Sequence, residues 1–516
     1  MRKYFFMVVF IVVTASSVIG QSAPSSITGE RNQCVSNRAG QYSCQGIDLF
    51  ALVSLKELDA NAELVNDVWG WTDPDTKRDY ALVGTSKSVA FVDVSDPINP
   101  IYLGKLNGRN ENSITWRDMK VYNDHMFVVV DGPNNGMQVF DLRQLRTART
   151  PQDWKETAFY DQVSSAHNLA INEETGFVYI TGYQLSSNGS SDTCRGRGIH
   201  MVNIKNPIEP TYAGCIADFQ TGGSNDGYTH DAQCLNYRGP DIRYQGREIC
   251  IGSNETHISI VDVTNKQEPQ IISAASYPHV GYTHQGWLTK DQQYFLMNDE
   301  TDELSPDVNN TRTIIWNLAK LDDPVYHSSF FLHTTSIDHN LYIHGDYMYA
   351  ANYLSGLRII DISDIDNPVE VAYFDTYAND SGFGNDGAWS SYRFSGSGTT
   401  IVSSHPDGLF ILDVIDITIT GIEISEEVPE AFTLSNAYPN PFNSNTTFTL
   451  STPQQTMVHI EVIDILGRGV DMIHQGVLNV GRHNFSFDGS QLPSGSYEIR
   501  VSSDSYTTGI RVVLVK

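Results

Sequence analysis

Histidine and aspartate recur in this chain at the interval of a structural repeat, and both side chains can bind cations or hydrogen-bond a polar ligand. The clearest pair is Tyr-Thr-His, which occurs in "YTHDAQC" at 228–234 and again in "YTHQGWL" at 282–288. Aligning the flanking segments extends the series to seven positions, which are Asp67, Asp118, His167, His230, His284, His339 and Asp386. One such residue in each repeat predicts that side chains distant in sequence meet at a common site.

Two kinds of ligand site follow from these residue types. Neutral imidazoles bind transition metals, so a divalent metal ion is one candidate ligand, with the four histidines as its donors: His167, His230, His284 and His339. A wall of histidines facing a wall of aspartates could instead bind a polar or cationic molecule. Seven side chains exceed what one tetrahedral or octahedral ion requires, so not all of them can be metal ligands.

A purely structural role is the alternative, in which the recurrent residue satisfies a hydrogen bond within each repeat. Tryptophans are further candidates for lining the same site: Trp69, Trp71, Trp116, Trp287 and Trp389. The acidic run "NDETDE" at 298–303 could hold calcium, although it lacks the spacing of an EF-hand, and a solvated loop is the simpler interpretation.

The elements that must position these residues are indicated by a second motif: two apolar residues, Asp or Asn, then an apolar residue. It occurs seven times, from "FVDV" at 91–94 to "ILDV" at 411–414. Each copy follows a short run rich in β-branched and aromatic residues, such as "YALVG" or "MFVVV". Short runs of this kind, separated by Gly, Asn, Asp and Pro, are typical of strands and turns.

Each unit therefore predicts a small antiparallel sheet, and seven sheets arranged radially make an all-β, seven-bladed β-propeller. We place this propeller at 47–424. An open solenoid is the alternative, but it would need terminal caps that the sequence does not show. The seventh unit lacks an outer strand, and the segment 47–58, "IDLFALVSLKEL", has no unit of its own. We expect this segment to supply the closing outer strand, which places the recurrent His and Asp around the central channel.

The N-terminus indicates export. Residues 1–20 combine basic Arg2 and Lys3 with a short apolar run and small residues, which is typical of a secretory signal peptide. No later segment reaches the length of a membrane span, so we expect no transmembrane segment in the mature chain. The formal net charge of −28 would repel nucleic acid and anionic membrane surfaces.

Export also makes the cysteines interpretable, because an even number in an oxidising compartment favours disulfides. Six are present, and two of them lie in an N-terminal segment at 21–46. Pairing between sequence neighbours is the simplest arrangement, but the sequence alone leaves other pairings open. The neighbour pairs are Cys34 with Cys44, Cys194 with Cys215, and Cys234 with Cys250.

The last part of the chain differs in character. A polar linker at 425–431 is followed at 432–516 by alternating strand-like segments with Gly and Pro turns, which predict a small β-sandwich. The segments "AYPNPFN", "DILGR", "LPSGSYEIRV" and "VVLVK" resemble the C-terminal sorting domain of type IX secretion in Bacteroidota-type bacteria. The resemblance implies the type IX secretion machinery as partner, and a mature protein that is secreted or attached to surface lipopolysaccharide.

The larger part of the chain has a resemblance of its own. Segments such as "AFVDVSDPINPIYLG", "SAHNLAINEETGFVY" and "YMYAANYLSGLRIIDISD" look like the choice-of-anchor B family, which is built from LVIVD repeats. The resemblance spans about residues 34–414 and implies a secreted or surface β-propeller. It provides no catalytic residues, so the interpretation of the His and Asp positions depends on the alignment of the repeats.

We therefore expect an exported binding or scaffold protein with a ligand site in the channel. The alternative is a metal-dependent enzyme that uses the four histidines, and a self-associating surface-layer component is a third possibility. The sequence contains no P-loop, G-x-S-x-G, H-E-x-x-H or dinucleotide-binding motif that would identify a reaction.

Overall fold

The computed structural model describes most of the chain. The described residues are 24–110, 112–189, 191–377, 384–414, 432–435, 437, 439–453, 456–478, 481–490, 492–503 and 506–516. The predicted signal peptide at 1–20 and the predicted linker at 425–431 lie outside them. The chain divides into two units, Met1–Ile415 and Asp416–Lys516.

Within the described part of the first unit, seven antiparallel sheets follow one another, each with at least four strands. Sheet 1 contains Val65–Thr72, Asp79–Thr85, Ser88–Asp93 and Ile101–Asn107. Sheet 2 contains Arg117–Tyr122, His125–Val130, Met137–Asp141 and Ala158–Tyr160. Sheet 3 contains Asn168–Asn172, Phe177–Thr181, Ile199–Asn203 and Thr211–Ile216. Sheet 4 contains Asp231–Asn236, Glu248–Ser253, Ile258–Asp262 and Gln270–Ala275.

The remaining sheets repeat this order. Sheet 5 contains Thr283–Leu288, Tyr294–Asp299, Arg312–Asn317 and Val325–Phe331. Sheet 6 contains Leu341–His344, Tyr347–Ala351, Leu357–Asp361 and Val369–Phe374. Sheet 7 contains Gly387–Arg393, Thr399–His405, Gly408–Val414 and Ile47–Ser54. Shorter strands are Arg38–Ala39, Tyr42–Gln45, Gln152–Trp154, Val163–Ser165 and Gln184–Leu185. One α-helical turn, Leu55–Leu58, and two 3₁₀ segments, Leu142–Thr147 and Asp302–Leu304, complete this unit as described.

In sheets 1 to 6, the recurrent Asp or Asn of the apolar motif ends the third strand. Its side-chain oxygen accepts the backbone N–H two residues further on, at 3.0 Å from Asp93 to Ser95, at 2.9 Å from Asp262 to Thr264 and at 2.9 Å from Asp361 to Ser363. This local bond stabilises a turn in place of further strand pairing, which explains why a short polar side chain recurs there.

The central strands are apolar on both faces because a neighbouring sheet covers each face. All residues of Asp79–Thr85 and of His125–Val130 are buried. The first strand of each sheet packs beside the first strand of the next, and the first strand of sheet 7 packs beside that of sheet 1. The seven first strands therefore surround a common centre, and their ends determine what lines it.

The segment that completes sheet 7 comes from the N-terminal part of the chain. Ile47–Ser54 pairs antiparallel with Gly408–Val414, with Leu52 opposite Phe410. The strand stops at Ser54, and Leu55–Leu58 forms the helical turn, so the predicted 47–58 segment is only partly extended. This pairing gives the last sheet its fourth strand and leaves no unpaired edge at the junction.

Three disulfides join sequence neighbours in this unit, and the described residues include no free cysteine. Cys34 pairs with Cys44, Cys194 with Cys215, and Cys234 with Cys250. These are the neighbour pairs that the sequence suggested. Covalent links within short loops fit a protein of an oxidising compartment.

The second unit contains two further sheets among its described residues. One contains Thr433–Leu434, Asn445–Thr452 and Gly481–Asp488, and the other contains Gly469–Leu478, Thr456–Asp464, Gly495–Ser502 and Thr507–Leu514. Alternate residues of Thr456–Asp464 are buried, as Val458, Ile460 and Val462 show. This alternation means that one face of the sheet packs into a core. No helix in the described part of either unit is long and apolar enough to cross a membrane.

Candidate functional site

Side chains from all seven sheets meet where the first strands begin. Ten residues line this place, with at least one from each sheet: Asp67, Trp116, Arg117, His167, Asn168, His230, His284, His339, Asn340 and Trp389. The structure thus brings together five of the seven residues predicted from the repeats. At the equivalent points of sheets 2 and 7, the side chains are those of Trp116 and Trp389.

Local backbone geometry explains these two differences. Trp116 directly precedes the first strand of sheet 2, as His167 and His230 do in sheets 3 and 4. Trp389 is an extra residue in the first strand of sheet 7, because Ala388 pairs with Ser404 and Ser390 with Ser403. His284 is the extra residue of sheet 5 in the same way. Bulges re-aim side chains, and the residue at the centre lies two positions before the predicted one in sheet 2 and three positions after it in sheet 7.

The other two predicted residues lie elsewhere. Asp118 points to a different layer, where its carboxylate lies 2.5 Å from Lys120 Nζ and accepts the Leu169 N–H at 2.9 Å. Asp386 accepts a hydrogen bond from the Tyr377 hydroxyl at 3.2 Å and lies 3.3 Å from His405 Nδ1. Neither residue contributes to the lining of the central site.

The four histidines form a continuous arc of stacked or tilted rings. Ring centroids are 4.4 Å apart for His167 and His230, 4.4 Å for His230 and His284, and 4.5 Å for His284 and His339. Tryptophans continue the arc at both ends, with Trp116 5.8 Å from His167 and Trp389 4.7 Å from His339. We call His167, His230, His284 and His339 the histidine arc.

Hydrogen bonds fix the tautomer of three of these rings. His230 Nδ1 donates to the backbone oxygen of His284 at 3.0 Å, and His339 Nδ1 donates to that of Trp389 at 2.5 Å. His167 Nδ1 lies 3.1 Å from the Asp131 carboxylate. A ring that donates from Nδ1 keeps a free lone pair on Nε2, which is the arrangement of histidines that bind metals or accept hydrogen bonds.

Burial favours the neutral form of three rings of the arc, those of His230, His284 and His339. It lowers the pKa of His230 well below its usual value, and the neighbouring imidazoles of His284 and His167 add to this effect. Burial and the neighbouring His339 likewise lower the pKa of His284 well below its usual value, and burial lowers the pKa of His339. Neutral imidazoles in contact with one another are therefore the stable state near neutral pH.

A cavity of about 190 Å³ adjoins the arc. We call it the channel cavity, and the side chains that line it are Trp116, Asp131, His167, Tyr228, His230, Tyr282, His284, Glu300 and His339. Glu300 Oε2 lies 3.6 Å from His284 Nε2, and Glu300 Oε1 lies 3.8 Å from His339 Nε2. The Tyr353 hydroxyl donates to Glu300 Oε1 at 2.7 Å and orients the carboxylate.

Sequence reasoning missed four of these residues. Tyr228 and Tyr282 are the tyrosines of the two Tyr-Thr-His motifs, so their signal was present but was assigned to histidine alone. Asp131 and Glu300 each directly follow the second strand of their sheet, at 125–130 and 294–299. Aligning the ends of the second strands, as well as the starts of the first strands, would have found both carboxylates.

A second buried group, which we call the acidic cluster, consists of Asp67, Asp118 and Asp231 with Lys120. Burial and the Asp118 carboxylate raise the pKa of Asp67 to about 8 and that of Asp231 to about 7. Lys120 Nζ lies over the Trp69 ring, 4.5 Å from its centroid. The buried Tyr342 adjoins these groups and contacts the rings of Trp69 and Trp287, which places two of the candidate tryptophans here rather than at the channel cavity.

The fifth candidate tryptophan has a structural position. Trp71 stacks on Tyr80 at a centroid distance of 5.1 Å and hydrogen-bonds Asp124 through its indole N–H. It lies in the core between sheets 1 and 2. Trp71 therefore contributes to packing and not to the channel cavity.

Comparison with protein families identifies two kinds of module. Residues 77–107 and 339–376 match the LVIVD repeat, and residues 436–516 match the secretion system C-terminal sorting domain. The two repeat matches cover most of sheets 1 and 6. No curated protein gives a significant match to the chain. The expected LVIVD repeats and sorting domain are confirmed, whereas the choice-of-anchor B family is not shown and stays a resemblance.

Several solved structures are distantly similar. One is PorZ, an essential bacterial surface component of the type IX secretion system of Porphyromonas gingivalis, with 13% identity, 86% of this chain and 58% of that chain covered, and a TM-score of 0.42. Another is a protein from Lactobacillus plantarum, with 11% identity, 83% of this chain and 99% of that chain covered, and a TM-score of 0.42. Likenesses at this level carry no argument about this chain.

The sorting domain implies contact with the type IX secretion machinery, and the disulfides fit a location outside the cytoplasm. Both observations agree with the localisation predicted from the sequence. The chain thus carries LVIVD repeats followed by a type IX secretion C-terminal sorting domain, and it is an exported protein, either displayed at the cell surface or secreted.

Proposed function

We propose that this protein is an exported, seven-bladed β-propeller that binds a small cationic ligand in its channel cavity. The seven four-stranded sheets, the cyclic contacts of their first strands and the closing strand Ile47–Ser54 support this architecture. The propeller would occupy 47–424, after a signal peptide at 1–20 and a disulfide-containing segment at 21–46. A linker at 425–431 would lead to a β-sandwich at 432–516.

The charge of the channel cavity carries the functional proposal. Two carboxylates line it, those of Asp131 and Glu300, and none of its nine described lining residues is Lys or Arg. Burial lowers the pKa values of His230, His284 and His339 beside them, which favours the neutral form of these rings. Within this lining, a cation therefore meets negative charge and imidazole lone pairs, whereas the buried Arg117 lines the adjoining central site and not the channel cavity.

Aromatic walls strengthen the same preference. Trp116, Tyr228 and Tyr282 border the cavity, and the faces of such rings attract cations. Burial also raises the pKa values of Tyr228 and Tyr282, so both phenols stay protonated and can hydrogen-bond a ligand without adding charge. A small organic amine fits this combination of carboxylates, acceptor nitrogens and aromatic faces.

Calorimetric titration of the mature full-length protein with 1,4-diaminobutane, in the presence of a metal chelator, tests the proposal. We expect saturable binding that weakens about 10- to 100-fold in Glu300→Gln and in Asp131→Asn, because a hydrogen bond to a charged group is worth about 1.5–3 kcal/mol. Asp386→Asn is the matched control, since that carboxylate lies at His405, outside the cavity lining.

Two results would contradict the proposal. One is diamine binding that neither cavity carboxylate affects. The other is the absence of binding by the diamine and by divalent metal ions alike.

The C-terminal domain suggests how the propeller reaches its place of action. We propose that the sorting domain directs export and that attachment to surface lipopolysaccharide follows, so that the channel cavity samples the medium around the cell. The choice-of-anchor B resemblance agrees with this arrangement of an exported body and an exchangeable anchor.

Metal-dependent catalysis by all four histidines was the alternative. The arc geometry does not favour one ion bound by all four rings, because His167 and His339 occupy opposite ends of a row of four. A narrower metal site uses only part of the arc, as argued below.

A further inference from the structure

We infer that His284, Glu300 and His339 form a binding site for one divalent transition metal ion of the zinc type. This inference builds on the proposed function, since the ion would be the cation that the channel cavity takes up. The site differs from the four-histidine arrangement expected from the sequence, because it replaces His167 and His230 with a carboxylate.

The distances between the three side chains indicate a shared ion. Glu300 oxygens lie 3.6 Å from His284 Nε2 and 3.8 Å from His339 Nε2, which is too long for a hydrogen bond. One ligand atom from each of the three residues nevertheless lies within 4.8 Å of the others. Two donors that are each about 2.0–2.2 Å from the same zinc ion, at a tetrahedral angle, are about 3.3–3.6 Å apart. The 3.6 Å separation lies at the upper end of this range and the 3.8 Å separation slightly beyond it, so the donors would move together by a few tenths of an ångström around an ion.

The chemistry of the donors agrees with this spacing. His284 and His339 are buried, and His339 donates from Nδ1 to a backbone oxygen, which leaves the lone pair of its Nε2 available to an ion. Glu300 adds one negative charge to two neutral nitrogens, a combination that suits zinc and similar ions. By contrast, Asp192 with Cys194 and Cys215 offers no such site, since the two cysteines form a disulfide.

Outer hydrogen bonds hold two of the donors in place. His339 Nδ1 donates to the Trp389 backbone oxygen at 2.5 Å, which directs Nε2 away from the strand. Tyr353 donates to Glu300 Oε1 at 2.7 Å, and the Glu300 N–H donates to the Tyr282 backbone oxygen at 3.1 Å. Metal ligands commonly have such partners, which fix the orientation of the ring or carboxylate.

The three donors leave one side of the site open. All three line the channel cavity of about 190 Å³, with His230 and Tyr282 next to them. Three protein ligands and an accessible fourth position are typical of metal sites that bind or activate an exogenous molecule, whereas structural zinc sites are closed by four protein ligands. We therefore assign the fourth position to water or to a small anionic or neutral ligand from the medium.

Metal analysis of the mature full-length protein tests the inference directly. After chelator treatment and dialysis, titration with Zn²⁺ followed by elemental analysis should give one equivalent of tightly held ion. Co²⁺ should give the visible absorption of a low-coordinate, nitrogen- and oxygen-bound site. Glu300→Gln and His284→Ala should each weaken Zn²⁺ binding at least about tenfold and alter the cobalt spectrum, as loss of a ligand requires.

His405→Ala is the matched control, because His405 pairs with Asp386 outside the cavity lining and should leave metal binding unchanged. Thermal unfolding of each variant verifies that it is folded, and Glu300→Gln keeps the shape of the side chain if His284→Ala fails to fold. Absence of stoichiometric Zn²⁺ and Co²⁺ would overturn the inference, and so would full affinity in Glu300→Gln. Diamine binding without metal binding would overturn the metal site alone, whereas loss of both would overturn the proposed function as well.

Discussion

The histidine arc and the acidic cluster are built on the same set of first strands, and burial acts on them in opposite directions. In the arc, burial lowers the pKa values of His230, His284 and His339, while in the cluster it raises the pKa values of Asp67 and Asp231. Burial disfavours charge of either sign, so bases lose their protons and acids keep theirs. The arc faces a cavity with free acceptor nitrogens, whereas the carboxylate of Asp118 in the cluster pairs with Lys120. The comparison therefore distinguishes the proposed ligand site in the channel cavity from a packed polar core.

The largest effect should come from breaking the acidic cluster at its positive charge. Lys120→Met keeps the length of the side chain but removes the partner that lies 2.5 Å from Asp118. Loss of one partner from a buried ion pair leaves an uncompensated charge and costs about 3–5 kcal/mol. Urea denaturation should show this loss of stability. The exposed pair Arg238–Glu174 is the control, and Arg238→Ala should change the midpoint little, since solvent screens that pair. Equal midpoints for Lys120→Met and the wild type would contradict the description of the cluster.

The acidic cluster should also make the stability of the protein fall as pH rises above neutral. Asp67 and Asp231 have folded-state pKa values of about 8 and about 7, well above the unfolded value of about 3.9. Their contribution to stability is therefore complete below about pH 4 and is lost as pH rises through 7 and 8. The melting temperature should fall between pH 6 and 9. Asp67→Asn/Asp231→Asn should make this fall smaller, and an unchanged slope in the double variant would refute the assignment.

The arc should show the reverse dependence, with a smaller effect. The pKa of His230 is lowered in the folded state, so its contribution is present above the unfolded pKa of about 6.5 and is lost as pH falls below it. His230→Gln removes this titration and leaves the proposed metal ligands in place. The drop in melting temperature from pH 7 to pH 5 should therefore be shallower in the variant than in the wild type. If the melting temperatures of the variant and the wild type fall equally between pH 7 and pH 5, the titration of His230 does not contribute to the pH dependence of stability.

The sequence predicted the features that repeat and missed those that depend on local geometry. The motif from "FVDV" to "ILDV" marks the third strand of every sheet, and in sheets 1 to 6 its Asp or Asn ends that strand. The closing segment at 47–54 was predicted from the missing outer strand of the seventh unit, and the disulfides were predicted from the pairing of sequence neighbours. The alignment of the seven recurrent residues was wrong at Asp118 and Asp386. In sheet 2 the central residue is Trp116, which directly precedes the first strand, and in sheet 7 it is Trp389, which lies at a bulge. Neither feature leaves a signal in the sequence.

The carboxylates of the channel cavity were missed for a different reason. Asp131 and Glu300 directly follow the second strands of their sheets, whereas the alignment of the repeats compared only the starts of the first strands. Glu300 belongs to the acidic run 298–303, in which composition does not distinguish the residue that faces the cavity from its neighbours. Asp299, directly before it, is buried and accepts a hydrogen bond from the Tyr277 hydroxyl at 2.7 Å. Only the path of the backbone determines that Glu300 lines the cavity and that Asp299 is buried beside Tyr277.

The strand Ile47–Ser54 has a consequence for the order of events during export. It is made early in the chain, yet its partner Gly408–Val414 is the last strand of the first unit. If the polypeptide crosses a membrane N-terminus first, Ile47–Ser54 has no pairing partner until almost the whole unit has crossed. Sheet 7 can therefore be completed only at the end, so the proposed ligand site forms only when the passage of this unit is nearly complete.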